Sequence, residues 1–263
     1  MNRNSKRILA IIPARGGSKS IPRKNIKLLD SYPLISYSIA AGLSSQYIDR
    51  VIVSTDDVEI AEIAVQYGAE VPFIRPAELA EDHVTDLPVF EHAVRWLEEN
   101  DNYHADIILQ LRPTSPFRPK GSVDEAIELL LQSHHADSVR GVTPSGQNPF
   151  KMWQLDGDRM VPLLQAEFDE PYNMPRQKLP ATFWQTGHIE VIRYDTIMQK
   201  HSMTGDNIIP YIIDSRYAID LDTLQQWEFA EYLLEYIDSE IYQPLELLDR
   251  LEEINPQFAV SLW

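Results

Sequence analysis

The chain has 263 residues, of which 44% are hydrophobic and none is cysteine. This length supports one sizeable α/β core over residues 1–263 rather than two equal domains, and the lack of cysteine excludes disulfides, thiolate catalysis and cysteine-ligated zinc. A net charge of −17 argues against a nucleic-acid partner. Since no apolar run has the form of a signal peptide or the length of a membrane span, we expect a cytoplasmic protein without a membrane partner.

Short apolar runs alternate with amphipathic helical patterns along much of the chain. The predicted strands cover 8–12, 51–55, 107–111, 138–142, 189–193 and 208–213, and the predicted helices between the first four cover 34–46, 58–68, 86–99 and 122–132. Continuous apolar strands that alternate with such helices indicate βαβ units. The sequence therefore predicts an α/β fold with a doubly wound, mostly parallel, Rossmann-like sheet, whose ligands bind at the carboxyl ends of the strands.

The first 29 residues are electropositive on an otherwise acidic chain. They contain eight of the 23 Lys and Arg residues and no Asp or Glu. A local positive segment of this kind suits a small polyanion. For Arg3 to Arg7, a solvated tail is the favoured interpretation.

The segment ARGGSKSIPRKN at 14–25 follows the first predicted strand. Its paired glycines, Gly16 and Gly17, permit a tight turn whose backbone N–H groups can face an anion. Three basic side chains add charge that a triphosphate would offset: Arg15, Lys19 and Lys24. The segment matches neither the Walker pattern nor the dinucleotide fingerprint, so an ordinary turn is the alternative. We interpret it as a phosphate-binding loop.

The alternation breaks over 143–186, a stretch rich in proline and aromatic residues. The aromatic residues are Phe150, Trp153, Phe168, Tyr172, Phe183 and Trp184. Such a composition is not that of a disordered linker. We interpret 143–186 as an inserted lobe that packs against a second subunit, with a long ordered loop of the monomer as the alternative.

Two acidic residues, Asp220 and Asp222, precede the last predicted helix. In extended backbone, alternate residues share one side, so both carboxylates can face one hard cation while Ile219 and Leu221 face the core. Paired carboxylates that hold Mg²⁺ against phosphate oxygens recur in nucleotidyl transfer. For Asp222, the alternative is a role as helix cap only.

The last predicted helix begins with Thr223 and Gln226 at capping-box spacing. An apolar stripe predicts the face that packs on the core: Leu224, Trp227, Ala230, Leu234 and Ile237.

Together these segments resemble the acylneuraminate cytidylyltransferases, the CMP-sialic acid synthetases and their relatives for legionaminic and pseudaminic acids. The resemblance spans nearly the whole chain. It rests on ARGGSKSIPRKN at 14–25, RPAELAEDHVTD at 75–86, RPTSP at 112–116, NPFKMW at 148–153, NMPRQKLP at 173–180, QTGHIEVI at 185–192 and YAIDLDTLQQWEFAE at 217–231. It implies a fold of the nucleotide-diphospho-sugar transferase type, with 143–186 as a dimerisation lobe. It also implies a homodimer that transfers CMP from CTP to a nine-carbon acidic sugar with Mg²⁺.

The resemblance further implies roles for individual residues. Those expected around the nucleotide are Ala14, Arg15, Gly16, Gly17, Ser18, Lys19, Lys24, Asn25, Arg75 and Asp82. Asp220 and Asp222 are expected to bind the magnesium, and with Arg15 and Lys24 they are the expected catalytic residues. Those expected around the sugar are Arg112, Lys151, Arg176, Gln177, Gly187 and His188, with Lys151 reaching across from the partner subunit.

The chain departs from the family pattern at four places. Arg112 stands where Gln is common, and Thr186-Gly187-His188 stands where an Asn-Gly pair with an apolar residue is common. Ser20 replaces a usual Gly, and Trp184 a common Tyr. These changes leave open a different sugar or nucleotide on the same fold, and His188 can be a sugar contact, a core histidine or a rim residue. A nucleotide-binding protein without catalysis is the alternative from another class.

Overall fold

The computed structural model describes residues 6–165 and 169–254, with only the backbone of the last one. Two residues named in the sequence predictions, Arg3 and Phe168, lie outside this part. The strands are β1 (Ile8–Pro13), β2 (Leu28–Leu29), β3 (Tyr32–Pro33), β4 (Arg50–Ser54), β5 (Ile107–Gln110), β6 (Ser138–Pro144), β7 (Trp153–Asp156), β8 (Arg159–Pro162), β9 (Phe183–Arg193) and β10 (Ile208–Ile212). The α-helices are α1 (Leu34–Leu43), α2 (Val58–Gln66), α3 (Asp86–Asp101), α4 (Ser122–Gln132), α5 (Tyr194–Met198), α6 (Leu224–Ile237) and α7 (Pro244–Ile254).

The central sheet has six strands in the order β10-β6-β9-β5-β1-β4. β1 is parallel to β4 and β5, and β10 is parallel to β6, whereas β9 is antiparallel to both β5 and β6. The predicted, mostly parallel α/β sheet is therefore confirmed, with one antiparallel strand inside it. The chain passes from β4 to β5 on the opposite side of β1, so the crevice at the carboxyl ends of β1 and β5 is a switch point where such sheets bind ligands.

An apolar layer covers each face of the sheet. The side chains along each strand alternate between these two layers. Along β1, Ala10 and Ile12 pack in one layer with residues of α1 and α4. Leu9 and Ile11 pack in the other, mainly with residues of α3. This double coverage explains why the strands appear in the sequence as continuous apolar runs.

The first and last residues of the predicted lobe, 143–186, belong to strands of the central sheet. β6 continues to Pro144, and β9 begins at Phe183, so the predicted strand 189–193 is only the second half of a longer one. Between them lies the β7–β8 hairpin, with short 3₁₀ turns on either side.

No helix of residues 6–165 and 169–254 combines the length and apolar character that a membrane crossing needs.

Helix α6 has the predicted capping box. The Thr223 hydroxyl accepts from the backbone N–H of Gln226 at 3.2 Å, and Gln226 Oε1 accepts from the backbone N–H of Thr223 at 2.8 Å. Trp227, Ala230, Leu234 and Ile237 are buried as predicted. The prediction for the remaining member of the stripe is wrong: Leu224, the first helical residue, is 58% exposed because the helix meets the core only from Trp227 onwards.

Two leucines of α6 therefore differ in what they contribute to stability. We expect Leu234→Ala to lower the free energy of unfolding by about 2–5 kcal/mol, since it opens a cavity in the core. Leu224→Ala should change it by no more than about 0.5 kcal/mol, because that side chain is exposed. Urea unfolding followed by circular dichroism measures both, and equal losses would contradict this packing.

Candidate active site

A cavity of about 410 Å³ opens at the carboxyl ends of β1 and β5. Its wall combines charges of both signs. The basic side chains are Arg15, Lys19, Lys24, Arg75 and Arg112, and the acidic ones are Glu81, Asp82, Asp86 and Asp222. A wall of this kind suits a ligand with several charges, and the cavity lies where the topology of the sheet places ligands.

The cationic loop is paired with an acid at the mouth of the cavity. Arg15 Nη2 lies 3.0 Å from Asp82 Oδ1, and Arg15 Nη1 donates to the carbonyl of Ala80 at 3.2 Å. Lys19 forms a second ion pair with Asp82, and the two cations, Lys19 first, hold the pKa of that carboxyl below its usual range. A triphosphate bound here would compete with Asp82 for both side chains.

The two glycines of the loop differ in their surroundings. The backbone N–H of Gly16 donates to a carboxylate of the chain itself, Asp56 Oδ1, at 2.9 Å, and its contact with a phosphate stays a prediction. A Cβ on Gly16 would lie 2.7 Å from Asp57 Oδ2, which explains the need for glycine there. Gly17 and Ala14 are not among the residues that line the cavity, whereas Ser18 is. Gly16 thus lets the loop pack against the segment that follows β4, whereas a Cβ on Gly17 would meet nothing within 4 Å.

Lys24 joins the loop to the paired acids. Its Nζ is buried and donates to Asp222 Oδ1 and to the carbonyl of Leu221, both at 2.9 Å. Asn25 supports the loop from behind, because its Nδ2 donates to the carbonyl of Arg15 at 2.9 Å. The two segments that the sequence singled out for phosphate and metal chemistry therefore meet, although 198 residues separate Lys24 from Asp222.

The acidic segment is a tight turn rather than the predicted extended backbone. The N–H of Asp222 donates to the carbonyl of Asp220 at 3.1 Å, and the N–H of Leu221 donates to the carbonyl of Thr114 at 2.8 Å. Leu221 is fully buried as predicted, and Ile219 is partly buried. The turn arises because Thr114, in the segment after β5, anchors the middle of it.

Asp220 carries a buried oxygen, Oδ1, without a hydrogen-bond partner among the described residues. Burial raises the pKa of this carboxyl; the hydrogen bond from Thr114 and the charge of Lys24 oppose the rise, and Asp222 adds to it. A buried oxygen without a partner in a native structure requires an explanation, and a bound cation is one. The described residues contain no group of three or more His, Cys, Asp or Glu side chains arranged for a metal. Two carboxylates with a free oxygen fit a hard cation such as Mg²⁺ that takes its other ligands from elsewhere.

Two arginines near the cavity are buried. Arg75 donates from Nε to the hydroxyl of Ser54 at 3.0 Å, and burial lowers its pKa to about 10. Arg118 was not singled out from the sequence. It donates to the carbonyl of Arg112 at 2.7 Å and to that of His188 at 2.5 Å. It therefore fixes the turn that carries Arg112 and Thr114.

His188 lies behind this turn and does not line the cavity. It is 1% exposed, and its Nε2 lies 2.8 Å from the carbonyl of Tyr217. Burial, and then the charge of Arg118, lower its pKa to about 3, so the ring is neutral at physiological pH. This placement matches the core-histidine alternative. Next to it, a Cβ on Gly187 would lie 2.5 Å from Ser115 Oγ, so glycine permits this close packing.

Three predicted sugar contacts lie in the lobe. Lys151 Nζ donates to the carbonyl of Tyr172 at 3.1 Å, and Arg176 Nη2 donates to that of Ser145 at 2.9 Å. Arg176 and Gln177 line a separate cavity of about 510 Å³. None of the three lines the first cavity, so one copy of the described chain does not bring them to it.

Comparison with known proteins shows family members of similar length. A profile of the family described as cytidylyltransferase matches residues 9–154. CMP-N,N'-diacetyllegionaminic acid synthase of Legionella pneumophila is 34% identical over 87% of this chain and 97% of its own. Pseudaminic acid cytidylyltransferase of Campylobacter jejuni is 32% identical over 86% of this chain and 95% of its own.

Solved structures agree on the fold. CMP:2-keto-3-deoxy-manno-octonic acid synthetase, in a structure described as complexed with CTP, superposes with a TM-score of 0.65 at 17% identity, over 87% of this chain and 98% of that one. The 4-diphosphocytidyl-2C-methyl-D-erythritol synthase of Anaerococcus prevotii gives a TM-score of 0.59 at 15% identity, over 88% of this chain and 99% of that one.

Proposed function

The chain belongs to the cytidylyltransferase family, and we propose that it transfers CMP from CTP to a nine-carbon acidic sugar of the N-acylneuraminate kind, with release of pyrophosphate. Two of its relatives are named for the activation of legionaminic and pseudaminic acids. The observation that carries the proposal is the bridge from Lys24 to Asp222, which joins the cationic loop to the acidic segment at one cavity.

In the proposed reaction, the anomeric hydroxyl of the sugar attacks the α-phosphorus of CTP, and pyrophosphate leaves. Arg15, Lys19 and Lys24 would hold the phosphates, and their fixed charge would stabilise the departing pyrophosphate. Lys24 donates to the carbonyl of Leu221 as well as to the carboxylate of Asp222. The hydrogen bond to Leu221 would therefore keep Lys24 in place when Asp222 turns to another partner.

Asp220 and Asp222 would hold Mg²⁺ against the phosphate oxygens. When bound, the ion would neutralise charge that develops on the phosphoryl group. Asp222 has 63% of its side-chain surface exposed, so it can reorient toward ligands in the cavity, whereas Asp220 is fixed by the turn. Asp222 is also the proposed acceptor for the proton of the sugar hydroxyl, because its exposed carboxylate lines the cavity.

The choice of nucleotide and sugar tests this proposal directly. We expect pyrophosphate release with CTP and a nonulosonic acid, and no comparable release with GTP, UTP or neutral hexoses. A coupled pyrophosphate assay over a panel of nucleotides and sugars measures this. Turnover with another nucleotide or only with neutral sugars would favour a different transferase of the same fold. Binding of CTP without pyrophosphate from any sugar would favour a non-catalytic protein.

We also propose a homodimer formed through the lobe, 143–186. The exposed apolar side chains of the lobe are Met152, Trp153, Leu155, Met160, Leu163, Leu164, Phe183 and Trp184. An accumulation of exposed large apolar side chains in one segment is typical of an interface. A partner subunit would also explain how Lys151 and Arg176 could reach an active site. The cytoplasmic location and the absence of nucleic-acid and membrane partners stay predictions.

A charged residue in the lobe should break this dimer. Leu155 is 80% exposed, and Leu155→Arg is expected to give a particle with the mass of one chain and to abolish sugar turnover. Leu245→Arg, at a position in α7 that is 52% exposed, is the control and should leave the mass at two chains. Light scattering after size exclusion measures the mass, and a wild-type monomer that turns over the sugar would contradict the proposal.

A further inference from the structure

A row of polar side chains crosses the sheet beside the cavity. In the strand register, Gln110 of β5 lies opposite Glu190 of β9, and Glu190 lies opposite Arg140 of β6. Directly opposite residues project from the same face of a sheet. On that face, Ile108 and Ile192, two residues before and after this row, belong to the apolar layer under α3. Charged groups inside such a layer cost free energy and require a reason.

Glu190 is the centre of the row. It is 2% exposed, and its carboxylate accepts from Arg140 Nη2 at 2.6 Å and from Gln185 Nε2 at 3.2 Å. Arg140 Nη1 also donates to Gln185 Oε1 at 2.8 Å, so the three side chains form a closed set. Glu190 is therefore a buried acid that its neighbours hold in a single position.

Arg112 lies between this buried acid and an acid at the mouth of the cavity. Its Nη2 is 4.0 Å from Glu190 Oε1 and donates to Asp86 Oδ2 at 2.5 Å. Asp86, the first residue of α3, has 34% of its side-chain surface exposed, whereas Glu190 has 2%. Asp86 can turn to solvent at little cost, and Glu190 cannot. Both Arg112 and Asp86 line the cavity.

The acids near Arg112 differ in whether a ligand can replace them. Arg140 pairs with Glu190, whereas Arg112 pairs with Asp86 at the mouth of the cavity. The Nε of Arg112 is buried without a hydrogen-bond partner among the described residues. A carboxylate that displaces Asp86 would thus meet a guanidinium that the charge of Glu190, 4.0 Å away, still attracts from the interior, and such pre-organisation favours binding.

We propose that Glu190 is a positioning residue which, with Arg140 as its partly buried counter-ion, orients the guanidinium of Arg112 to bind the carboxylate of the acceptor sugar in exchange for Asp86. The inference rests on the proposed function, because it requires an acidic acceptor. It makes Glu190 and Arg112 determinants of acceptor binding, and it assigns neither of them to CTP.

Two variants test the role of Glu190. Glu190→Gln removes the charge but leaves the partly buried Arg140 without its counter-ion, so it can also destabilise the fold. The double variant Arg140→Met, Glu190→Leu removes both charges of the pair, and such apolar replacements are often neutral for stability. In both variants we expect the KM for the acidic sugar to rise about tenfold, which corresponds to about 1.4 kcal/mol, with the KM for CTP changed less than about twofold.

Two further variants complete the experiment. Glu70→Gln breaks another Arg–Glu pair, with Arg50 at the edge strand β4, and should change neither KM. Asp86→Asn removes the competing acid and should lower the KM for the acidic sugar. Thermal unfolding of every variant separates lost positioning from lost stability.

The outcomes separate this inference from the function on which it rests. A stable double variant with the wild-type KM for the acidic sugar would overturn the role of Glu190 while the proposed function stood. Equal rises in both KM values would overturn it too, since the effect would not be specific to the acceptor. A wild-type enzyme that uses no acidic sugar would overturn the proposed function, and the inference with it.

Discussion

One buried ammonium group connects the two halves of the candidate site. Lys24 Nζ donates to the carbonyl of Leu221 and to the carboxylate of Asp222, and so links the turn after β1 to the segment before α6. This contact sets where a cationic loop and an acid pair lie relative to each other. The sheet topology places it at a switch point, where the carboxyl ends of β1 and β5 diverge and a ligand has room.

The charged residues around this contact fall into two groups by burial. Lys24, Arg75, Arg118 and Glu190 are buried, and each is held by specific hydrogen bonds. The acids at the cavity mouth, among them Asp82 and Asp86, are partly or largely exposed and pair with cations that a ligand could use. The buried group supplies a rigid frame, and the exposed acids are partners that an anionic substrate can replace at low cost.

Local sequence patterns predicted the elements that depend on local chemistry. The apolar runs gave the strands near β1, β4, β5 and β6, and the spacing of Thr223 and Gln226 gave the cap of α6. The direction of β9 could not be predicted, because it depends on pairing with strands far away in the chain. The turn at Asp220 could not be predicted either, because it depends on the carbonyl of Thr114 in a distant segment. The roles of Arg118 and Glu190 could not be predicted because no local pattern shows that these side chains are buried.

We propose that Asp220 belongs to a metal-assisted nucleotide site that Lys24 holds together. Titration calorimetry of CTP with and without magnesium tests it, with Asp214→Asn as an exposed acidic control. Magnesium should tighten CTP binding to the wild-type and control proteins. Asp220→Asn should lose this tightening and lower kcat by about 100-fold or more, the scale for removal of one preorganised electrostatic group. Full magnesium enhancement and unchanged turnover in Asp220→Asn would exclude Asp220 from the metal site.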